Sequence, residues 1–112
     1  MTDNLYQINH RRKTHDLKIA PEHWRAIYDG LKTFEIRNND RDFREGDILL
    51  LREYMETKTP NMPNNQSEAY YTGAKAFYEI TYITNYQQKS GWIVMAIKRL
   101  NVFVKRSNDA KN

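Results

Sequence analysis

Several features that would point to particular kinds of protein are missing from this chain of 112 residues. It has no cysteine, which excludes disulfide bonds, zinc–thiolate sites and a cysteine nucleophile. No apolar run approaches the roughly 20 residues that a membrane-spanning helix needs, and the N-terminus lacks the apolar core of a signal peptide. We therefore expect a cytoplasmic protein that has no membrane partner.

Acidic residues are scarce at the two ends of the chain, so its net charge of +4 comes from these ends. Residues 14–97 carry ten Lys and Arg against twelve Asp and Glu, so their net charge is −2. The remaining residues carry eight Lys and Arg against two Asp, so theirs is +6. Residues 14–97 are therefore not basic by composition. The basic ends would add affinity for nucleic acid only if they act as arms or fold back beside these residues.

The length predicts one domain with a modest core. We interpret residues 1–13 as a polar, basic and flexible leader, and residues 14–99 as the domain. Residues 100–112 contain "NVFV", which would extend the last strand or form an extra one, followed by a polar basic tail. Residues 55–69 carry two prolines, four Asn and Gln residues and no apolar period, so they are predicted to be a loop.

Hydrophobic periodicity predicts a mostly β fold with one early helix. Strands are predicted in "HDLKIA", "TFEIRNN", "ILLLREY", "YYTGAKAFYEITYITNY" and "WIVMAIKRL". A helix of about three turns, beginning at Pro21, is predicted by an apolar stripe formed by Trp24, Ile27, Tyr28 and Leu31. This order fits the α+β class, as a small and mostly antiparallel β-barrel with the early helix closing one side.

Polar side chains are most concentrated in "GLKTFEIRNNDRDFREGD", residues 30–47. The period of two places Glu35 and Arg37 on one face of a strand and Phe34 and Ile36 on the other. One interpretation is a ligand site, in which Lys and Arg contact phosphates while Glu35 and an Asn read a base. The other is an ion pair on a polar sheet surface, which would contribute little stability. The candidate ligand-binding residues are Lys32, Glu35, Arg37, Asn39 and Arg41.

Single-stranded RNA would also need exposed aromatic side chains for its bases to stack on. Candidates near predicted loops are Tyr54, Tyr70, Tyr71, Tyr86 and Trp92. The three histidines are too scattered to indicate a metal site, and the four glycines fall at predicted turns rather than in a phosphate-binding loop. We therefore expect no metal and no cofactor.

Five ordered motifs together resemble an ASCH-like domain of the PUA-like superfamily, in a small group of unknown function common in phage and bacterial genomes. They are "HDLKIAPEHW", the spaced residues of Gly30 to Tyr54, "YTG", "EITYI" and "GWIVMAI". The resemblance covers roughly residues 15–97 and is most specific between Gly30 and Asp47. It implies a compact β-barrel with an early helix, and a function in RNA binding or in work on modified nucleosides.

The resemblance also raises an enzymatic alternative. One branch of the ASCH class resembles an amidohydrolase of a modified cytidine, which uses a Lys, a Thr nucleophile three residues later and a carboxylate further on. Lys32 matches that Lys, but Glu35 stands at the nucleophile position, and no acidic residue lies between Glu79 and Asp109. The covalent mechanism is therefore not expected, although hydrolysis assisted by Glu35 with Lys32 as an electrostatic helper stays open.

A protein-interaction module that displays the predicted loop 55–69 and the basic ends is a third alternative. Its signature would be an exposed apolar patch, for which "NVFV" is the obvious source. On balance the sequence predicts a domain that binds RNA or a nucleotide-like ligand. Phosphate would be captured by Lys32 and Arg37, and a base read by Glu35 and Asn39.

Overall fold

The computed structural model describes residues 12–58 and 67–101. Most of the predicted leader, the middle of the predicted loop and nearly all of "NVFV" with the basic tail lie outside the described residues. Within the described ranges, no helix has the length and apolar character needed to cross a membrane.

The described residues form five strands and one helix, which confirms the predicted α+β class. In chain order they are β1 (Thr14–Ile19), α1 (Pro21–Tyr28), β2 (Phe34–Asn38), β3 (Ile48–Lys58), β4 (Ser67–Thr84) and β5 (Trp92–Leu100). The strands form one sheet in the order β1-β3-β4-β5-β2, which curls into a half-barrel. This order makes β1 and β2 the two edges of the sheet. The β1–β3 pairing is parallel, and the other three pairings are antiparallel.

The core lies on the concave face of this sheet, beneath α1. Alternate residues of β1, β3, β4 and β5 point into it, and α1 contributes Trp24 and Ile27. The fully buried side chains at its centre are Leu49, Leu51, Ile80 and Met95. The period of two therefore produces one continuous apolar layer, against which the helix packs.

The helix is shorter than its apolar stripe predicts. Trp24 and Ile27 are buried as expected, but α1 ends at Tyr28, and Leu31 lies beyond it with 84% of its surface exposed. Gly30 adopts a φ of +79°, a left-handed conformation that commonly ends helices and is easiest for glycine. Leu31 follows this break, so the helical period no longer applies to it.

This difference predicts unequal effects for two substitutions in the stripe. Ile27→Val should lower the free energy of unfolding by about 1 kcal/mol because a buried methylene is lost. Leu31→Ala removes more atoms, yet it should change that free energy by less than about 0.5 kcal/mol because the side chain is exposed. Urea unfolding of both variants measures this, and a larger loss for Leu31→Ala would show that the helix continues through Leu31.

The predicted loop 55–69 is wrong at both ends, because β3 and β4 extend into it. Met55 pairs with Tyr70 and Glu56 with Ala69, forming a two-stranded ribbon. The pairing of β1 with β3 ends at Glu53, and that of β5 with β4 begins at Phe77, so the ribbon projects beyond the sheet. An apolar period is missing from the sequence here because the ribbon has no neighbouring layer among the described residues to pack on.

Candidate functional site

A cleft of about 520 Å³ lies between β1 and β2, the two edges of the half-barrel. Its walls come from β1, from α1 through His23, from β2 and from the turn that follows β2, with Trp92 of β5 at one side. Its volume falls within the range of roughly 300–1,000 Å³ that is typical of small-molecule sites. The cleft is therefore the gap that remains where the sheet does not close into a full barrel.

Two arginine side chains bridge this gap. Arg37 donates from Nη2 to the backbone oxygen of Lys18 at 2.7 Å, and Arg41 donates from Nη1 to that of Asp16 at 3.0 Å. Both acceptors are carbonyl groups on β1, an edge strand that has no partner on this side among the described strands. The arginines thus replace part of the missing backbone pairing and are held at the cleft.

Glu35 lies buried between two cations. Its side chain points to the concave face, so only 4% of the residue is exposed, while Phe34 and Ile36 on the opposite face are each close to half exposed. Arg37 donates from Nε to its Oε2 at 2.8 Å, and Lys32 Nζ lies 3.5 Å from its Oε1. The same-face ion pair is therefore present, but the interpretation that it sits on a polar surface is wrong. The three side chains together carry a net charge of +1.

Lys32 connects this ion pair to the helix. Its Nζ lies 3.1 Å from Nδ1 of His23 on α1. An ammonium group has only donors, so Lys32 donates and Nδ1 of His23 accepts in this bond. The backbone N–H of Lys32 donates to Ala26, which fixes the turn between α1 and β2. Lys32 is thus positioned by the helix end as well as by Glu35.

Asn39 supports the cleft without lining it. Its Oδ1 accepts a hydrogen bond from the backbone N–H of Phe43 at 3.0 Å, and its own N–H donates to Gly91. An Asn side chain that caps a nearby backbone N–H stabilises a turn, and this turn carries Arg41 into the cleft wall. Of the five predicted ligand residues, the cleft brings together Lys32, Glu35, Arg37 and Arg41.

Some residues of the cleft were not predicted from the sequence. Lys18, His23 and Asp40 line it, although Lys18 looked like an ordinary solvent-facing residue of a half-buried strand. Only the curvature of the sheet brings β1 opposite β2, and a local pattern carries no signal for that. Among the five predicted stacking residues, Trp92 lines the cleft, partly exposed and paired with Asn38 of β2.

A buried polar pair ties the turn after β2 to β1. Asp47 accepts hydrogen bonds from Nε2 of His15 at 2.8 Å and from the backbone N–H groups of Lys13 and Arg44, each at 3.1 Å. Burial by itself raises the pKa of Asp47, but the bond from His15, the two backbone bonds and the charge on His15 together lower it below its ordinary value. Phe43 packs against the His15 ring, so this cluster supports one wall of the cleft.

The donor set of the described residues gives no sign of a metal site. No group of three or more His, Asp and Glu in residues 12–58 and 67–101 is arranged to hold a metal ion. The charged groups in the cleft are instead mostly ammonium and guanidinium groups, which suit an anionic ligand.

Comparison with protein families gives a match. The model of a family described as a domain of unknown function (DUF3850) matches residues 14–97, which run from the start of β1 almost to the end of β5. All four predicted ligand residues of the cleft lie inside this match. No curated protein matches the sequence.

Proposed function

The chain belongs to the family described as a domain of unknown function (DUF3850), and we propose that its cleft binds RNA or a nucleotide-like ligand. The observation that supports this most is the placement of charge. Residues 14–97 have a net charge of −2, yet the cleft is lined by four cations and two carboxylates. The cations are Lys18, Lys32, Arg37 and Arg41. Positive charge concentrated at a gap in an otherwise acidic body favours an anionic ligand there.

Phosphate capture falls to Lys32 and Arg37. The described contacts use two of the five N–H donors of Arg37, the Nε and one on Nη2, so its guanidinium retains donors for a phosphate. Glu35 holds both cations in place before the ligand arrives, which lowers the entropy that they lose on binding. The role of Glu35 in this proposal is to position Lys32 and Arg37 rather than to read a base.

A base would be held by stacking and by backbone groups. Trp92 and Ile36 also line the cleft with partly exposed apolar surface, from the face of the sheet opposite to Arg37. Thr33 and Asn39 direct their backbone bonds toward β5, so by alternation the backbone groups of Ile36 face the cleft. These N–H and C=O groups supply the donor and acceptor that a base edge requires, while the Oδ1 of Asn39 is already bonded to a backbone N–H.

The sequence resemblance to ASCH-like domains supports the same proposal, because it implies RNA or nucleoside ligands. The hydrolytic alternative is less favoured by the geometry. A general base needs a carboxylate oxygen aimed at the attacking water, whereas both oxygens of Glu35 are directed at Lys32 and Arg37. Binding without catalysis is therefore the function that we propose.

Two arginines of the same turn provide a matched test. Arg41→Ala removes a cation from the cleft, whereas Arg44→Ala removes an exposed cation that pairs with Asp42 and does not line it. We expect Arg41→Ala to weaken binding by about tenfold, as suits a lost charge-assisted hydrogen bond, and Arg44→Ala to bind as the wild type does. Fluorescence anisotropy of a labelled single-stranded RNA, titrated with each full-length protein at low and moderate salt, measures this.

Two outcomes would contradict the proposal. Equal and strongly salt-dependent binding by the wild type and both variants would mean that the basic ends act as a non-specific polycation. If the folded wild type binds neither RNA nor mononucleotides, the proposal is wrong. The melting temperature of each variant serves as the control for folding.

A further inference from the structure

Cationic and aromatic side chains form a second cluster that begins at the cleft. Lys18, which lines the cleft, places Nζ 4.5 Å from the ring centroid of Tyr54. The Tyr54 ring meets that of Tyr71 edge to face, with 5.0 Å between centroids, and the guanidinium of Arg52 lies 3.8 Å from the Tyr71 centroid. We call these four residues the cation–aromatic row.

The row lies where the β3–β4 ribbon leaves the sheet. It runs from β1 across β3 to β4, so it spans two strand spacings, about 10 Å. The β3–β4 register shifts between Arg52 and Tyr54. The pairing of β1 with β3 ends at Glu53, so among the described strands none pairs with Tyr54 on the side of β3 that faces β1. Tyr71 remains 39% exposed, and its neighbour Tyr70 about half exposed.

A purely structural role explains only part of the row. Arg52 is anchored by an ion pair from Nη1 to Asp16 Oδ2 at 3.2 Å, which accounts for its position. Two cation–π contacts share one aromatic pair here, at an exposed end of the sheet. Exposed tyrosines interleaved with cations are the arrangement that single-stranded nucleic-acid sites use, with bases on the rings and phosphates on the cations.

We propose that the row continues the cleft, so that the ligand is a single strand of RNA several nucleotides long rather than a free nucleotide. This inference rests on the proposed function of the cleft. One nucleotide occupies the cleft, the strand leaves it past Lys18, and the next base stacks at Tyr71. Lys18 belongs to both surfaces and contacts the phosphate that links the two nucleotides.

Substitution of Tyr71 separates the row from the cleft. We expect Tyr71→Ala to weaken the binding of a labelled single-stranded octanucleotide RNA by about tenfold, as for one lost stacking contact, and to leave the affinity for a nucleoside monophosphate within about twofold. The control is Tyr82→Ala, at an exposed tyrosine near the end of β4 that does not line the cleft, which should change neither affinity. Tyr71→Leu keeps the apolar volume without the ring and should repeat the result, so it decides the question if Tyr71→Ala fails to fold.

The outcomes distinguish this inference from the function on which it rests. The role of the row is overturned if Tyr71→Leu binds the octanucleotide with wild-type affinity. It is also overturned if the wild type binds the octanucleotide no more tightly than the monophosphate, and in both cases the proposal for the cleft stands. If Arg41→Ala leaves both affinities unchanged, the cleft itself is not the site and the row loses its basis. Loss of octanucleotide binding alone in the Tyr71 variants, with loss of both ligands in Arg41→Ala, supports the complete path.

Discussion

Replacing Asp47 with alanine is expected to lower the free energy of unfolding by about 3–5 kcal/mol, because three donors would lose their acceptor at about 1–3 kcal/mol each. Asp47 is 1% exposed and accepts three hydrogen bonds, from His15, Lys13 and Arg44. The substitution leaves the buried imidazole and two backbone N–H groups without their acceptor, and each uncompensated group adds to the loss. Urea unfolding followed by tryptophan fluorescence measures the change.

Asp42→Asn is the matched control for Asp47→Ala, because Asn removes the charge and tolerates the left-handed backbone of Asp42, whose φ is +51°. Asp42 lies in the same turn, but its pair with Arg44 is solvent-exposed and should contribute less than about 1 kcal/mol. If the two variants unfold at the same urea concentration with equal slopes, the buried network does not stabilise the fold as its geometry indicates. Loss of this network should also displace Phe43, which lines the cleft, so ligand affinity is expected to fall in Asp47→Ala but not in Asp42→Asn.

The same network gives stability a defined dependence on pH. The pKa of Asp47 is lower in the folded state than its ordinary value of 3.8, so the unfolded chain binds more protons between the two values. The contribution of Asp47 is therefore fully present above about pH 4 and is lost as the pH falls through the folded pKa. The stability difference between wild type and Asp47→Ala should shrink on acidification from neutral pH to about pH 3, and a constant difference would contradict this assignment.

The sequence was sufficient to predict the class of fold, because period-two alternation is a local property. It identified the strands and the early helix, and it placed Glu35 and Arg37 on one face. It could not determine which face of β2 is buried. Apolar alternation favours Phe34 and Ile36, whereas the concave face receives Glu35, since two cations compensate its charge there.

The cleft was only partly predictable for a different reason. Lys32, Glu35, Arg37 and Arg41 lie within ten residues of one another, so their clustering is visible in the sequence. Lys18 joins them only because β1 and β2 become the two facing edges of a curled sheet, a relation set by the strand order. Pairing within the β3–β4 ribbon was missed for a similar reason, since it depends on residues from two distant segments rather than on a local apolar pattern.

The largest effect expected within the cleft is that of Arg37→Met. Glu35 would then be a buried carboxylate whose nearest cation is Lys32 at 3.5 Å. We expect a loss of about 2–3 kcal/mol in stability, somewhat below the roughly 3–5 kcal/mol for a fully buried pair, because Arg37 is partly exposed and Lys32 remains. Binding of RNA should fall as well, since both a phosphate donor and the bridge to Lys18 are lost.

A double variant separates these two consequences. Replacing Glu35 with leucine together with Arg37→Met removes the buried charge along with its partner, and apolar replacements of buried ion pairs are often neutral or stabilising. Stability should return to within about 1 kcal/mol of the wild type, while RNA binding stays weak because Arg37 is still absent. Urea unfolding and anisotropy on the same preparations measure both properties. Recovery of binding together with stability would mean that Arg37 acts only on the fold. A double variant as unstable as Arg37→Met would show that stability depends on the bridge from Arg37 to Lys18 rather than on the charge of Glu35.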